Sequence, residues 1–470
     1  MLARLSAVAL VLLAALPAQG ARPASLASRE AQVAAIIAKA AGSPPRLRVL
    51  LQDFPKGGDL HNHLDGSVYA EDFLTWADAD GDCIARHGRA LTPPPCTGDQ
   101  VPAKGLAARD PVFYQSTIDA LSMRNFVPGH GTGELSGHDH TFATFPRFGA
   151  VGAAHLKDMM AATRAIAARD HVLYIEQIAD PSQAFAPALL GADAPFDAND
   201  FARDLDALAP VVNGLLPEAQ AEFDAADAAA ASTSKVDVRY LFFVLRTLPP
   251  KEVFAQMALG FALAAADPKF VGVNFVAPED DAVALRDFAL HMKMFAFFHA
   301  RYPNVKLSLH AGELALGLVP TADLGFHIRD TIEIAGASRI GHGYEIPYER
   351  DADGLLKEMA QKKIAVEINL TSNAVTHGLE GAGHPVSLYR AAHVPIVLSA
   401  DDEGVFRIDL THEYMRAVTE QHFTYQDLKE VSRNGVRYSF LPDAEKARLL
   451  KQLEIDFAAY ETAVLSATRR

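Results

Sequence analysis

Short apolar runs recur along the chain, separated by longer stretches in which apolar residues return every three or four positions. The short runs read as buried strands and the longer stretches as amphipathic helices. The strands fall at Gly58–Leu64, His171–Ala179, Val236–Leu248, Phe270–Ala277, Lys306–Glu313, Arg339–Ile346, Ala365–Asn373 and Ile396–Asp402. Strand followed by helix, eight times over, predicts an α/β fold, a (β/α)8 barrel with helices outside. An open doubly wound sheet is the rival. Closure is favoured because ionisable residues sit at the C-terminal ends of strands one, five, six, seven and eight, and a barrel brings those ends to one mouth.

Two connections break the plain repeat, Tyr69 to Asp170 after strand one and Asp180 to Lys235 after strand two, and both read as insertions. The first contains HGTGELSGHDH at His130 to His140, which reads as a mobile loop over the mouth, with a second metal site as the alternative. From Leu410 onward the periodicity is helical, with Glu413, Arg416, Glu420 and Lys429 assigned to polar faces packed outside the barrel. At the other end, Met1 to Gly20 carries one basic residue, an apolar run from Ala7 through Leu16, and small residues at Ala18 and Gly20. That is the pattern of a signal peptide cut before Ala21, and it predicts a secreted or periplasmic protein. Residues 21–52 read as an exposed helical arm, and 53–470 as the barrel. After the leader, no segment approaches the roughly 18 apolar residues of a membrane span.

Charge and cysteine content narrow the picture. A formal net charge of −15 argues against a phosphate-backbone partner, so nucleic acid is excluded from the expected ligands. The two cysteines, Cys83 and Cys96, lie in a polar, Pro-rich part of the first insertion, about 78–110. With export expected, they predict a disulfide, the alternative being two free thiols.

The sharpest chemical signal is His61-Asn62-His63, because residues two apart on a strand point the same way and aim both imidazoles at one point. Alone, such a pair also fits two hydrogen-bonded structural rings. Downstream, His310, His342 and Asp401-Asp402 each lie at the end of a strand. Three imidazoles and one carboxylate drawn from this set suit zinc and leave room for a water. Neighbours on a strand face opposite sides, so one of Asp401 and Asp402 is expected to ligate and the other to hydrogen-bond. Glu313, three residues beyond His310 where the chain leaves its strand, is a candidate proton carrier. Strand four, VGVNFVAPE, has no lysine to bridge two metals, which favours a mononuclear site.

At these residues the chain resembles the adenosine deaminase family of metal-dependent barrel hydrolases, from about Lys56 to about Lys446. The motifs are DLHNHLDGS at Asp59 to Ser67, SLHAGE at Ser308 to Glu313, RIGHG at Arg339 to Gly343, TSN at Thr371 to Asn373 and SADD at Ser399 to Asp402. SMRNF at Ser122 to Phe126 and HDHTFATFPRF at His138 to Phe148 look more like that family's secreted, growth-factor-type branch. The resemblance implies one zinc ion held by His61, His63, His310 and Asp401, with Glu313 protonating purine N1. It further implies that His342 orients or deprotonates the attacking water, that Asp402 bonds N7, and that Asp65 meets the ribose hydroxyls. Ala277 stands where the family has a glycine whose backbone N–H contacts N3, and Asn369-Leu370 stands for the usual Cys-Pro. The expected reaction is deamination of adenosine or 2′-deoxyadenosine to the inosine compounds and ammonia. The alternatives are another amino-heterocycle on the same site, or a growth-factor-like binding protein without turnover.

Overall fold

The computed structural model describes residues 24–127, 135–191 and 195–468. Eight parallel strands form the barrel: β1 (Lys56–His63), β2 (Val172–Ile178), β3 (Asp237–Leu245), β4 (Phe270–Val276), β5 (Lys306–Ala311), β6 (Arg339–His342), β7 (Ala365–Ile368) and β8 (Ile396–Leu398). Each pairs with its neighbours in chain order. The circle is completed between β8 and β1, where the Asp401 N–H donates to the His61 carbonyl at 3.0 Å and the His63 N–H to the Asp401 carbonyl at 3.2 Å. Strands covered on both faces bury nearly every residue, which is why β4 and β7 run largely apolar rather than alternating.

Three expected strands end early. β6 stops at His342, β7 at Ile368 and β8 at Leu398. His342 (φ 63°) and Asp401 (φ 60°) adopt left-handed backbone that ends pairing, and Leu370–His377 turns helical. Asp401 and Asp402 therefore lie beyond the strand, and the expectation that alternation sends them to opposite faces does not hold. β1 also carries one extra residue relative to β2 between Asp59 and Asn62.

A buried ionic layer crosses the barrel interior. Arg339 on β6 ion-pairs with Glu176 on β2 and Glu367 on β7, and Ser308 on β5 donates to Glu367 at 2.7 Å. Below it, the buried Lys56 ammonium donates to the carbonyls of Leu51, Phe54 and Asp170, at 3.2, 3.1 and 2.7 Å. Each charge is paired or hydrogen-bonded, as burial demands. The N-terminal mouth is closed by the helix Tyr425–Arg437. Its Gly435 backbone approaches Gly58 so closely that a Cβ on Gly435 would meet the Gly58 carbonyl oxygen at 2.2 Å.

The arm is helical, Ala24–Ala40 and Pro44–Leu51, but it is docked rather than exposed. Val33, Ile37, Leu47, Leu50 and Leu51 are buried in the main core with Phe457 and Tyr460 of the C-terminal helix Asp443–Thr468. The C-terminal segments are helical as expected, yet Glu413 and Lys429 are buried, not surface residues. Glu413 accepts from the Thr371 N–H at 3.1 Å, and Lys429 pairs with Glu461 at 2.9 Å.

In the first insertion a three-stranded antiparallel sheet of Cys83–Ile84, Leu91–Thr92 and Val101–Pro102 carries the Cys83–Cys96 disulfide. The second insertion is dominated by the helix Phe201–Ala230. Met1 to Gly20, expected to be a leader, and residues 130–134 of the His130–His140 loop lie outside the described residues. From Gly137 that loop is a short helix, Gly137–Phe142, pinned to the mouth by His138, whose Nε2 lies 3.0 Å from the Asp280 carboxylate.

Candidate active site

The C-terminal ends of the strands surround a cavity of about 780 Å³. On its floor, one donor atom from each of His61, His310, His342 and Asp401 lies within 4.8 Å of the others, as do donors of His63, Asp401 and Asp402. Of the four residues expected to hold a metal, His61, His310 and Asp401 fall in one group together with His342, while His63 falls in the second, its Nε2 3.4 Å from Asp401 Oδ1. Asp65, Glu313 and Ala277 line the same cavity.

Local sequence explains the convergence. In RIGHG, Gly341 makes room for His61, because a Cβ there would lie 2.8 Å from the His61 ring. Gly66 does the same for Asp402, whose carboxylate oxygen would be 1.8 Å from a Cβ on Gly66. Gly66→Ala is therefore expected to keep its metal while displacing Asp402 and lowering kcat/KM at least about 10-fold, since misplaced reacting groups are costly. Metal analysis and steady-state rates check this, and unchanged rates would show that Asp402 need not sit there.

Hydrogen bonding fixes where the imidazole lone pairs point. His61 Nδ1 lies 2.9 Å from Glu367, an acceptor, so a proton is held there and the buried Nε2 is turned inward to Asp401. His310 Nδ1 lies 2.8 Å from Asn274 Oδ1, an atom that also accepts the Phe275 N–H. Its proton goes to Asn274, and its Nε2 lone pair faces His63 Nε2 at 3.2 Å. Asp401 Oδ1 stands 3.4 Å from the Nε2 atoms of both His61 and His63. Burial works to lower His61, yet Asp401 and Glu367 raise it to about 10. Burial likewise opposes charge on Asp401, and the surrounding imidazoles hold it well below the carboxylate range. A site this favourable to positive charge, built from nitrogen lone pairs and a carboxylate, fits a divalent metal.

The proton-carrying groups are adjacent. Glu313 Oε1 lies 3.7 Å from His342 Nε2, and burial, then the Asp401 charge, raise Glu313 to about 8. Its position is set by Glu279, which accepts the Glu313 N–H at 2.7 Å and pairs with the buried Arg246 at 3.2 Å. Asp402 has a buried, unpartnered oxygen, and burial, then Asp401, raise it well above the usual range. Burial thus biases both carboxyls toward the protonated form. Ala277 keeps left-handed backbone (φ 81°), the conformation for which glycine is the easier residue.

Several participants were not singled out by sequence reasoning. Glu367 sits mid-strand in an apolar run, a charge that signals a buried partner. Asp180 follows β2 as the other acids follow their strands. Glu222, in an Ala-rich helix, and His384, in a Gly-rich turn, carry no local signal.

A parallel barrel holding this donor set at its C-terminal mouth defines a metal-dependent hydrolase of the amidohydrolase type. The family model described as adenosine deaminase matches residues 155–455, and the chain belongs to the adenosine deaminase family. A predicted adenosine/adenine deaminase of Streptomyces virginiae is 31% identical over 252 residues, 53% of this chain and 68% of the relative. An adenosine deaminase of Clostridium perfringens is 30% identical over 177 residues, 37% of this chain and 46% of that protein, so the match spans about half of its length. Among solved structures, an amidohydrolase from Burkhoderia ambifaria with bound Zn superposes with a TM-score of 0.60 at 18% identity, covering 88% of this chain and 95% of that one. That likeness is one of fold.

Proposed function

We propose that the protein deaminates adenosine and 2′-deoxyadenosine hydrolytically, with zinc as its metal, held by His61, His63, His310 and Asp401. The observation that carries this reading is the placement of two buried carboxyls, Glu313 and Asp402, both biased toward the protonated form, against the metal donors in one cavity. A 6-aminopurine presents two lone-pair acceptors, N1 and N7, on either side of the carbon that bears the amino group. Glu313 gives its proton to N1, which removes aromatic resistance to addition at C6, and Asp402 donates to N7. The metal, when bound, supplies a water acidified enough to attack near neutral pH. His342 faces the attacking oxygen; one proton of the water replaces the one Glu313 gave to N1, the other passes from the new C6 hydroxyl to the amino group, and the C6–N bond breaks as ammonia leaves.

The cavity's charge supports a nucleoside over a nucleotide. Asp65, Asp180 and Glu222 line it, and no Lys or Arg does so among the described residues; segments 128–134 and 192–194 contain neither. Burial, then Asp65 and Glu222, raise Asp180 well above the usual range, so these acids already strain against one another. A phosphate there would crowd acids that already resist carrying charge together and would meet no Lys or Arg to neutralise it, whereas ribose hydroxyls supply donors.

The test is the absorbance change on converting adenosine to inosine, with 2′-deoxyadenosine, adenine and AMP alongside, with and without a chelator. Chelator-sensitive turnover of both nucleosides, with kcat/KM for AMP lower by a factor on the order of 10², is expected. Preference for adenine would move the reading to the free base, and preference for AMP would refute the role given to the acids.

A further inference from the structure

Taking the deaminase reading as its starting point, we infer that His384, acting through Asn373, places the proton of His342 on Nε2, so that His342 donates a hydrogen bond to the attacking oxygen and does not deprotonate it. The chain of reasoning starts at a group whose role is not adjustable. The Val386 backbone N–H lies 3.1 Å from His384 Nδ1 and can only donate. His384 Nδ1 therefore accepts. Burial lowers His384 to about 4, so it is neutral and its single proton is on Nε2. That Nε2 lies 3.0 Å from Asn373, and only the amide oxygen can receive its proton. With its oxygen turned to His384, Asn373 directs its NH2 group at His342 Nδ1, 2.9 Å away. His342 Nδ1 must accept, which leaves its proton on Nε2.

The other side of the ring agrees. His342 Nε2 faces Glu313 Oε1 at 3.7 Å and Asp401 Oδ2 at 3.9 Å. The Asp401 carboxylate, held ionised by the surrounding imidazoles, would repel a lone pair pointed at it, whereas it attracts an N–H. Both distances exceed a direct hydrogen bond, so the N–H remains available to an oxygen placed between them. Of the two tasks the family resemblance leaves open for His342, orienting and deprotonating, only the first is compatible with this proton. His384 and Asn373 are positioning residues, since neither lines the cavity.

The experiment is a long-range proton–nitrogen correlation spectrum of the full, zinc-loaded chain labelled with 15N-histidine, His342 being assigned by its loss in a His342→Gln variant. A protonated-type nitrogen at Nε2 and a bare-type nitrogen at Nδ1 is the expected result. Asn373→Asp, which offers only acceptors, is expected to invert that pattern and lower kcat at least about 10-fold with little change in KM. His384→Phe should let Asn373 turn and give a mixed pattern, and His384→Gln, which restores a donor, should recover the wild-type spectrum. A wild-type His342 with its proton on Nδ1 overturns the inference, even if every variant fails to fold. The expected pattern in an enzyme that releases no ammonia from adenosine leaves the inference standing and refutes the deaminase reading instead.

Discussion

Glu313→Gln is expected to bind its metal normally and to lose turnover by a factor on the order of 10² to 10⁴. The amide copies the shape of the carboxyl and can still hydrogen-bond, so the substrate pocket keeps its form. It cannot hand a proton to N1, and without that proton C6 stays too electron-rich for addition. Metal retention follows because the donor atoms that converge belong to His61, His310, His342 and Asp401, with His63 beside Asp401, while Glu313 belongs to neither group and stands 3.7 Å from His342. The loop should also persist, since Glu279 holds the residue through its backbone N–H, which the substitution does not touch. The sign of the pH dependence is fixed as well. Glu313 is raised to about 8, so its acid form prevails below that pH and is lost above it. Wild-type kcat/KM should therefore fall on the alkaline side, and the residual activity of Glu313→Gln should lack that fall. Metal analysis with rates across pH tests both statements, and full activity in the variant would remove Glu313 as the acid.

Much of this site was readable in the sequence, because barrel chemistry sits at strand ends and strand ends are marked by a change from apolar to polar residues. His61, His63, His310, Glu313, His342 and Asp401 all follow that rule. The reasoning was weaker where periodicity no longer applies. Asp401 and Asp402 were assigned to opposite faces by strand alternation, but β8 ends at Leu398 and left-handed backbone at Asp401 brings both to one cavity. Glu413 and Lys429 looked like surface charges because a helical pattern cannot reveal that Thr371 or Glu461 waits opposite. The supporting layer was the least legible. Glu367 reaches His61 across the barrel, and His384 reaches His342 through Asn373 from a turn. Such contacts depend on which strands become neighbours, information that a single local window does not contain.

His61→Ala should lose the metal, and activity with it. His61 is tied into the barrel at both ring nitrogens, with Glu367 at Nδ1 and Asp401 facing Nε2. Removing the ring takes away a nitrogen ligand and leaves the Asp401 carboxylate buried with less positive charge beside it, so the remaining donors hold a cation less firmly. Glu367 is less affected, since Arg339 and Ser308 still satisfy it. The barrel should accordingly fold. Glu367→Gln is the informative companion: it keeps every ligand but loses the carboxylate that orients His61, and loss of such a partner typically costs 10- to 100-fold in metal affinity. The expected order of zinc retention after dialysis is wild type, then Glu367→Gln, then His61→Ala. Because a metal bound only by the folded state stabilises it, the rise in Tm on adding zinc should shrink in the same order. Normal zinc content in His61→Ala would show that His63, His310, His342 and Asp401 suffice, and would move His342 from the reacting oxygen to the metal.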